Sequence, residues 1–366
     1  MKVKFVDYPK QHAKYSEIEE AILRVARSSD RILRGEVQKF EQNLADFVGT
    51  KYAIGVANGT DALTMSLRAL GVGPGDEVIT VGHTFHATVE AIHWNGAKPV
   101  LVDVGEDGMM DMKAVAKAIT PRTKAIIPVH LMGNVCEMQE LSNVIIKYHA
   151  KDIGNEIVVL EDACQALGAE RTYPFCEGGT YTIKAGGSLG KAGCFSFFPA
   201  KILGAYGDAG AVTTDDENLY KELKDMREHY KYSDTPKYGF NSRLDELQAA
   251  ILNVKFKYLP DMIKRRQEIA DLYDAGLKDL PIKLPTKRQG RVYQDYIIRT
   301  DRRNELAEFL KENGVETLKN DYHFPIPKPE HTIKLESETL RLPCNDVLED
   351  EEIKYVCEKI NEFYTK

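Results

Sequence analysis

Tyr52-Ala-Ile-Gly-Val56-Ala-Asn58-Gly-Thr-Asp-Ala62 is the stretch that decides the fold. A five-residue apolar run stops at a glycine turn, and Asp61–Leu70 continues with apolar residues at helical spacing. The same exchange of short β-branched run for amphipathic segment recurs through the first 215 residues. Candidate strands are Tyr52–Val56, Glu77–Val81, Pro99–Val104, Ala125–His130, Ile157–Leu160, Cys194–Phe198 and Ala211–Thr214. Candidate helices between the earlier ones are Asp61–Leu70, Ala87–Trp94, Met112–Ile119 and Met138–His149, and Gly73-Pro-Gly-Asp76 is a turn. Apolar strands alternating with helices predict an α/β fold: a large domain on a mostly parallel seven-stranded sheet flanked by helices. Ligands of such sheets bind outside the carboxyl ends of the strands, where Asp162 and the residues after Val56 fall.

From about Leu219 the pattern turns helical and charged. Leu244–Leu259 is apolar at helical spacing, and Leu259-Pro260 marks a break before a second long helix, Asp261–Leu277. Tyr293–Arg299, Arg302–Asn313 and Glu351–Tyr364 suggest a smaller C-terminal α/β domain, with the division expected as 1–250 and 251–366. The chain has 366 residues, 43% hydrophobic and 29% charged, which is the balance of a globular protein with large cores. A net charge of −7 without a block of five lysines and arginines argues against a nucleic-acid surface. No apolar stretch approaches 18 residues and the N-terminus lacks a signal-peptide core, so a cytoplasmic protein without a membrane partner is expected. Six scattered cysteines without CxxC spacing fit free thiols in a reducing compartment.

The chemistry centres on Cys194-Phe-Ser-Phe-Phe-Pro-Ala-Lys201-Ile-Leu-Gly-Ala-Tyr-Gly-Asp-Ala-Gly210, an apolar run that breaks into a glycine-rich turn. Some forty residues earlier, Val158-Val-Leu-Glu-Asp162-Ala-Cys-Gln165 is a hydrophobic strand ending in acids. A loop lysine beside a strand-end aspartate is what pyridoxal phosphate needs: the amine forms a Schiff base with the aldehyde, and the carboxylate pairs with the pyridine nitrogen. Most lysines are solvated surface residues, but the phenylalanines before this one and the glycines after it favour a buried, functional amine. Asp162 read by itself is equally a loop carboxylate capping a helix.

Gly59, Thr60 and Asp61, at a helix start, can cradle an anion through amide N–H groups and a hydroxyl; an ordinary capped helix reads the same way. Phe85, in Gly82-His-Thr-Phe-His-Ala87, is placed either to stack on a flat cofactor ring or to pack in the core. His83 and His86 lack a third ligand nearby, so no metal site is expected. Gly186-Gly-Ser-Leu-Gly-Lys191 fails as an ATP-binding loop, because Ala192 stands where a metal-binding Ser or Thr is required.

Taken together these segments resemble the nucleotide-sugar aminotransferases of the DegT/DnrJ/StrS group, nearly end to end. The matching stretches include Gly35-Glu-Val-Gln-Lys-Phe-Glu41, Val56–Leu63, Ile119–His130, Glu161–Gln165, the Lys201 segment and Gly239-Phe-Asn-Ser-Arg-Leu-Asp-Glu-Leu-Gln-Ala-Ala250. The resemblance implies the fold-type-I architecture and transfer of an amino group, from L-glutamate, to a nucleotide-linked keto sugar. It implies that Lys201 is the catalytic, Schiff-base residue, that Asp162 faces the pyridine nitrogen, and that Gln165 lies near the ring hydroxyl. It also implies that Phe85 stacks on the ring and that Gly59, Thr60 and Ser196 hold the phosphate. Asn241 would reach the phosphate of a neighbouring subunit, making a homodimer with shared sites; by position alone it is a turn residue before a helix.

The form Phe-Phe-Pro-Ala-Lys-x-Leu-Gly-Ala-Tyr-Gly-Asp is similar to enzymes that aminate a 3-keto sugar, whereas 4-keto enzymes more often end Gly-Glu-Gly-Gly. Sister sugar dehydratases carry histidine in place of the lysine, and a regulatory protein without turnover is the reading from another class. Three departures stand out. Ile202 replaces the usual asparagine, removing a polar contact near Lys201. Arg171–Gly187 is longer than the usual link by roughly ten residues and reads as a hairpin at the mouth of the site. Phe324-Pro-Ile-Pro-Lys-Pro-Glu-His331 differs from the usual histidine-containing stretch.

Overall fold

The computed structural model describes residues 1–149, 156–174, 180–187, 190–234 and 236–365. Among the described residues, nine strands precede residue 215: β1 (Tyr52–Val56), β2 (Glu77–Val81), β3 (Lys98–Val102), β4 (Thr123–Ile126), β5 (Val158–Asp162), β6 (Glu170–Pro174), β7 (Thr180–Lys184), β8 (Ala192–Ser196) and β9 (Gly210–Thr214). Seven of them form one sheet in the order β1-β9-β8-β5-β4-β2-β3. Only β9 runs against the others, pairing antiparallel with β1 and β8. The remaining neighbours are parallel.

Alternation along the strands builds a core on each face of this sheet. Ile54, Val56, Val78, Ala125, Ile127 and Cys194 point to one side, where they meet Leu63, Met65 and Leu67 of the helix Gly59–Ala69. Ala53, Ile79, Val81, Ile126, Phe195 and Phe197 point to the other and meet Phe40 and Leu44 of the helix Gly35–Val48. Phe197 packs edge-on against Phe40 at 5.0 Å. Each such fully buried side chain contributes about 1.5–3 kcal/mol, so the end of β8 is firmly held just before Lys201.

The β6–β7 hairpin forms in full register from Glu170↔Lys184 to Pro174↔Thr180. It lies away from the carboxyl ends of the sheet: Tyr173 and Ile183 join the core beside Phe47, and Lys184 Nζ donates to the Phe47 carbonyl at 2.8 Å. Its tip, with Glu177, lies outside the described residues.

After residue 215 the helices Glu246–Phe256 and Leu259–Leu277 follow one another. Pro260 lies in the first turn of the second, where a missing N–H costs nothing. Strands β10 (Tyr296–Arg299), β11 (Leu318–Lys319) and β12 (Thr339–Leu342) make a second, antiparallel sheet in the order β10-β12-β11. Its core joins Tyr273, Tyr296, Ile298, Leu310, Val356 and Ile360. Val3 belongs to this core, bridged in parallel to Val315, so the first residues pack with the last third of the chain. No described helix is long and apolar enough to cross a membrane.

Two buried carboxylates brace this frame. Glu246 receives the backbone N–H of Glu36 at 2.9 Å and of Val37 at 3.2 Å, capping the helix Gly35–Val48 from a distant segment. Glu77, at the start of β2, accepts from Thr120 Oγ1 at 2.6 Å, Arg122 Nη2 at 2.8 Å and Lys98 Nζ at 3.2 Å. The Thr120 and Arg122 bonds hold its carboxyl down at about 2, against an ordinary 4.5. A depressed folded pKa adds stability above the unfolded value, and this is lost as pH falls through the folded one. Glu77→Gln should therefore cost about 1–3 kcal/mol at pH 7. In urea denaturation, the gap to wild type should close as pH drops from about 5 towards 2.

Candidate active site

A cavity of about 510 Å³ opens at the carboxyl ends of the parallel strands, under a roof from the second sheet. Asn58, Gly59 and Thr60 follow β1, Thr84 and Phe85 follow β2, Val129 and His130 follow β4, and Asp162 ends β5. Ser196 ends β8, and Lys201 lies on the loop after it. Lys201 and Asp162 thus face the same space.

Asp162 is fixed from two sides. Thr88 Oγ1 donates to its Oδ2 at 2.8 Å, and the Cys164 N–H donates to its Oδ1 at 3.2 Å. Its backbone is tied to the neighbouring strand through His130 N to Asp162 O at 2.9 Å and Asp162 N to Pro128 O at 3.0 Å. Lys201 as a whole is half-buried. Burial pushes its pKa below the usual lysine value, against the pull of Cys164, Asp295 and Asp162.

At the opposite end, Asn58 Oδ1 caps the helix Gly59–Ala69 by accepting the Asp61 N–H at 2.8 Å. Gly59 is required by close approach: a Cβ there would meet Ser196 Cβ at 2.8 Å and Cys164 Sγ at 3.0 Å. Gly210 is similarly confined, since its Cβ would fall 2.3 Å from the Asn58 carbonyl carbon. The Asp61 side chain does not line the cavity; its Oδ2 accepts from Ser242 Oγ at 2.6 Å. Gln165 lines it, with Oε1 held by the Met132 N–H at 3.0 Å. Phe85 is 52% exposed, its ring edge-on to Tyr322 at 5.8 Å. Asn241 is exposed and lies outside this cavity, its backbone bridged to Glu228. His83 is buried against Glu336 at 3.3 Å, and His86 packs on Tyr322 and Phe324, so the two do not converge.

Several lining residues carry no sequence signal. Gln294 is buried and brackets Lys201: its Nε2 donates to the Ala200 carbonyl at 2.9 Å and its Oε1 accepts the Ile202 N–H at 3.1 Å. Ile202 takes part only through its backbone N–H, which any non-proline residue there would offer. Arg341, on β12, lines the cavity with Nε on Asp295 Oδ2 at 3.0 Å. Behind Asp162, buried Glu161 accepts from His130 Nε2 at 2.9 Å, Gly186 N at 2.9 Å and Gly190 N at 3.0 Å. Burial raises the Glu161 carboxyl, but these bonds outweigh it and hold it low. The Cys136 N–H points at His130 Nδ1 at 3.1 Å, so the imidazole proton sits on Nε2.

The donor set fits pyridoxal phosphate. An acid and an amine share a cavity, and a helix N-terminus and a serine hydroxyl stand ready for an oxyanion.

Residues 13–361 match the DegT/DnrJ/EryC1/StrS aminotransferase family, and the chain belongs to it. It is 39% identical to a "pleiotropic regulatory protein" of Geobacillus stearothermophilus, over 100% of this chain and 99% of that one. It is 39% identical to UDP-2-acetamido-2-deoxy-3-oxo-D-glucuronate aminotransferase of Pseudomonas aeruginosa, over 97% and 98% of the two chains. Among solved structures, S. venezuelae DesV in complex with a ketimine intermediate superposes with a TM-score of 0.89 at 34% identity, covering 100% of this chain and 99% of that one. Similar structures hold pyridoxal or pyridoxamine phosphate. The protein is a pyridoxal-phosphate-dependent sugar aminotransferase.

A misplacement of about 1 Å at a reacting group can cost on the order of a hundredfold in rate. Gln294→Leu, which releases both neighbours of Lys201, should lower kcat by about tenfold to a hundredfold. Cofactor absorbance should stay at the wild-type level, as read by steady-state kinetics beside a visible spectrum.

Proposed function

We propose that the protein moves an amino group from L-glutamate to carbon 3 of a nucleotide-linked keto sugar, as a cytoplasmic homodimer. The observation that carries this reading is the shared cavity of Lys201 and Asp162. The 3-keto preference is supported by the Pseudomonas relative, named for a 3-oxo substrate, and by the Lys-x-Leu-Gly-Ala-Tyr-Gly-Asp run. The five described cysteines are free, which suits a reducing compartment.

When bound, pyridoxal phosphate supplies an aldehyde for the amino group and a ring that draws electrons from the carbon being deprotonated. Asp162, oriented by Thr88 and Cys164, would pair with the ring nitrogen. Gln165, its side-chain oxygen pinned by the Met132 N–H, would donate its amide nitrogen to the ring hydroxyl. Phe85, which lines the cavity, would lie against the ring. Gly59, Thr60 and Ser196 would receive the phosphate at the helix N-terminus. Asp61 acts at second hand, tying the turn to Ser242. Asn241, exposed in one chain, would complete the phosphate site of a partner subunit.

Lys201, which lines the cavity, would hold the cofactor through its Nζ amine, and the same amine would take up or release a proton at Nζ. Burial favours its neutral form, as a base of this kind requires. The lysine itself stands against a dehydratase role.

A colour test checks this reading. The purified yellow protein should bleach with L-glutamate, and the bleached form should regain colour with 3-keto rather than 4-keto sugar nucleotides. Indifference to L-glutamate would overturn the donor assignment. Lys201→Ala should still bind the cofactor and lose transamination by at least about a thousandfold. Wild-type turnover in that variant would overturn the lysine assignment.

A further inference from the structure

Residues 129–132 border two cavities. Val129 and His130 line the one holding Lys201, and Leu131 and Met132 line a second, of about 340 Å³. The second cavity takes one wall from His83 and residues 106–109, and the other from residues 283–286, Arg291 and Arg299. Its charged groups are almost all paired. Glu106 meets Lys283 at 3.3 Å and Arg299 at 2.9 Å, Arg299 also meets Glu338 at 2.9 Å, and Asp107 meets Arg288. His83 meets Glu336.

Arg291 is the exception. It is 5% exposed, yet no carboxylate among the described residues lies within ion-pairing distance. Its Nη1 reaches only the Thr286 carbonyl, at a long 3.3 Å, its guanidinium stacks over the Tyr293 ring at 4.7 Å, and its Nε has no partner. An arginine cannot escape by giving up its proton, and an unpaired buried charge is among the costliest features a fold can keep. Arg227, Arg266 and Arg299 also leave Nε without a partner, but each has an acid, as Arg227 has Glu41, or several close carbonyls, as Arg266 has.

We propose that Arg291 anchors a binding site for a small oxyanion, a phosphate or carboxylate group, in this second cavity and apart from the Lys201 site. The ligand supplies the missing negative charge. Lys283 lies on the rim, two-thirds exposed, and can turn to the ligand because Glu106 keeps Arg299. The cavity walls come from both sheets' surroundings, so an occupant ties them together. Nothing in this proposal depends on which sugar is aminated.

The test is isothermal titration of the cofactor-saturated protein with inorganic phosphate and, separately, with acetate, at ionic strength matched with sodium chloride. One of the two anions should bind at one per chain, and the stronger of them names the group. Arg291→Met should weaken that binding by about tenfold to a hundredfold, the value of a charge-assisted hydrogen bond. In anion-free buffer the variant should melt no lower than wild type, because removing an unpaired buried charge relieves the fold. Arg291→Lys, which keeps the charge and loses the planar fork, should bind with intermediate affinity. Failure of both anions to bind wild type, or equal binding by wild type and both variants, would overturn the site. So would an Arg291→Met protein that melts far below wild type in anion-free buffer, since Arg291 would then be a structural residue.

Discussion

The contact from Thr88 Oγ1 to Asp162 Oδ2, 2.8 Å long, is where the frame and the chemistry meet. Thr88 belongs to the helix after β2, and Asp162 ends β5, two strands away in the sheet. The bond forms only if β2, β4 and β5 lie parallel and in register, which the apolar faces of those strands enforce. A slip of one residue would turn Asp162 out of the cavity and Glu161 into it. Glu161 has its own demands, with His130, Gly186 and Gly190 all directed at its carboxylate. The two adjacent acids therefore check each other's orientation, one serving the cavity and the other the glycine loop before β8.

The same period-two logic delivers the other end of the site. In Phe195-Ser196-Phe197 the rings turn into one core and the hydroxyl turns into the cavity. The strand that carries Ser196 is thus anchored by its neighbours in sequence. The lysine four residues beyond Phe197 inherits that rigidity, reinforced by Gln294 gripping the residues on either side of it.

Much of this was legible from residues alone. The strands Tyr52–Val56 and Glu77–Val81 stand where their apolar runs predict them, and the helix after Asn58 starts at its capping side chain. The strands near Pro99, Ala125 and Cys194 begin and end up to four residues early. There, apolar residues continue past the last ladder bond into the loops that build the cavity, and pattern does not separate the two. The hairpin at Glu170–Lys184 was readable as a hairpin, but its position was not, because packing against Phe47 is a long-range choice. Gln294, Arg341 and Thr88 left no local trace, since each matters only through a partner far along the chain. Asp61 shows the converse: a residue inside a telling motif whose side chain faces Ser242.

The central claim is that one amine, Lys201, holds the cofactor opposite Asp162. Borohydride reduction of the yellow protein, followed by proteolysis and mass spectrometry, tests it most directly. The account predicts a single phosphopyridoxyl group on Lys201. A label on any other lysine, such as the buried Lys255, or a cofactor washed away unreduced, would contradict it.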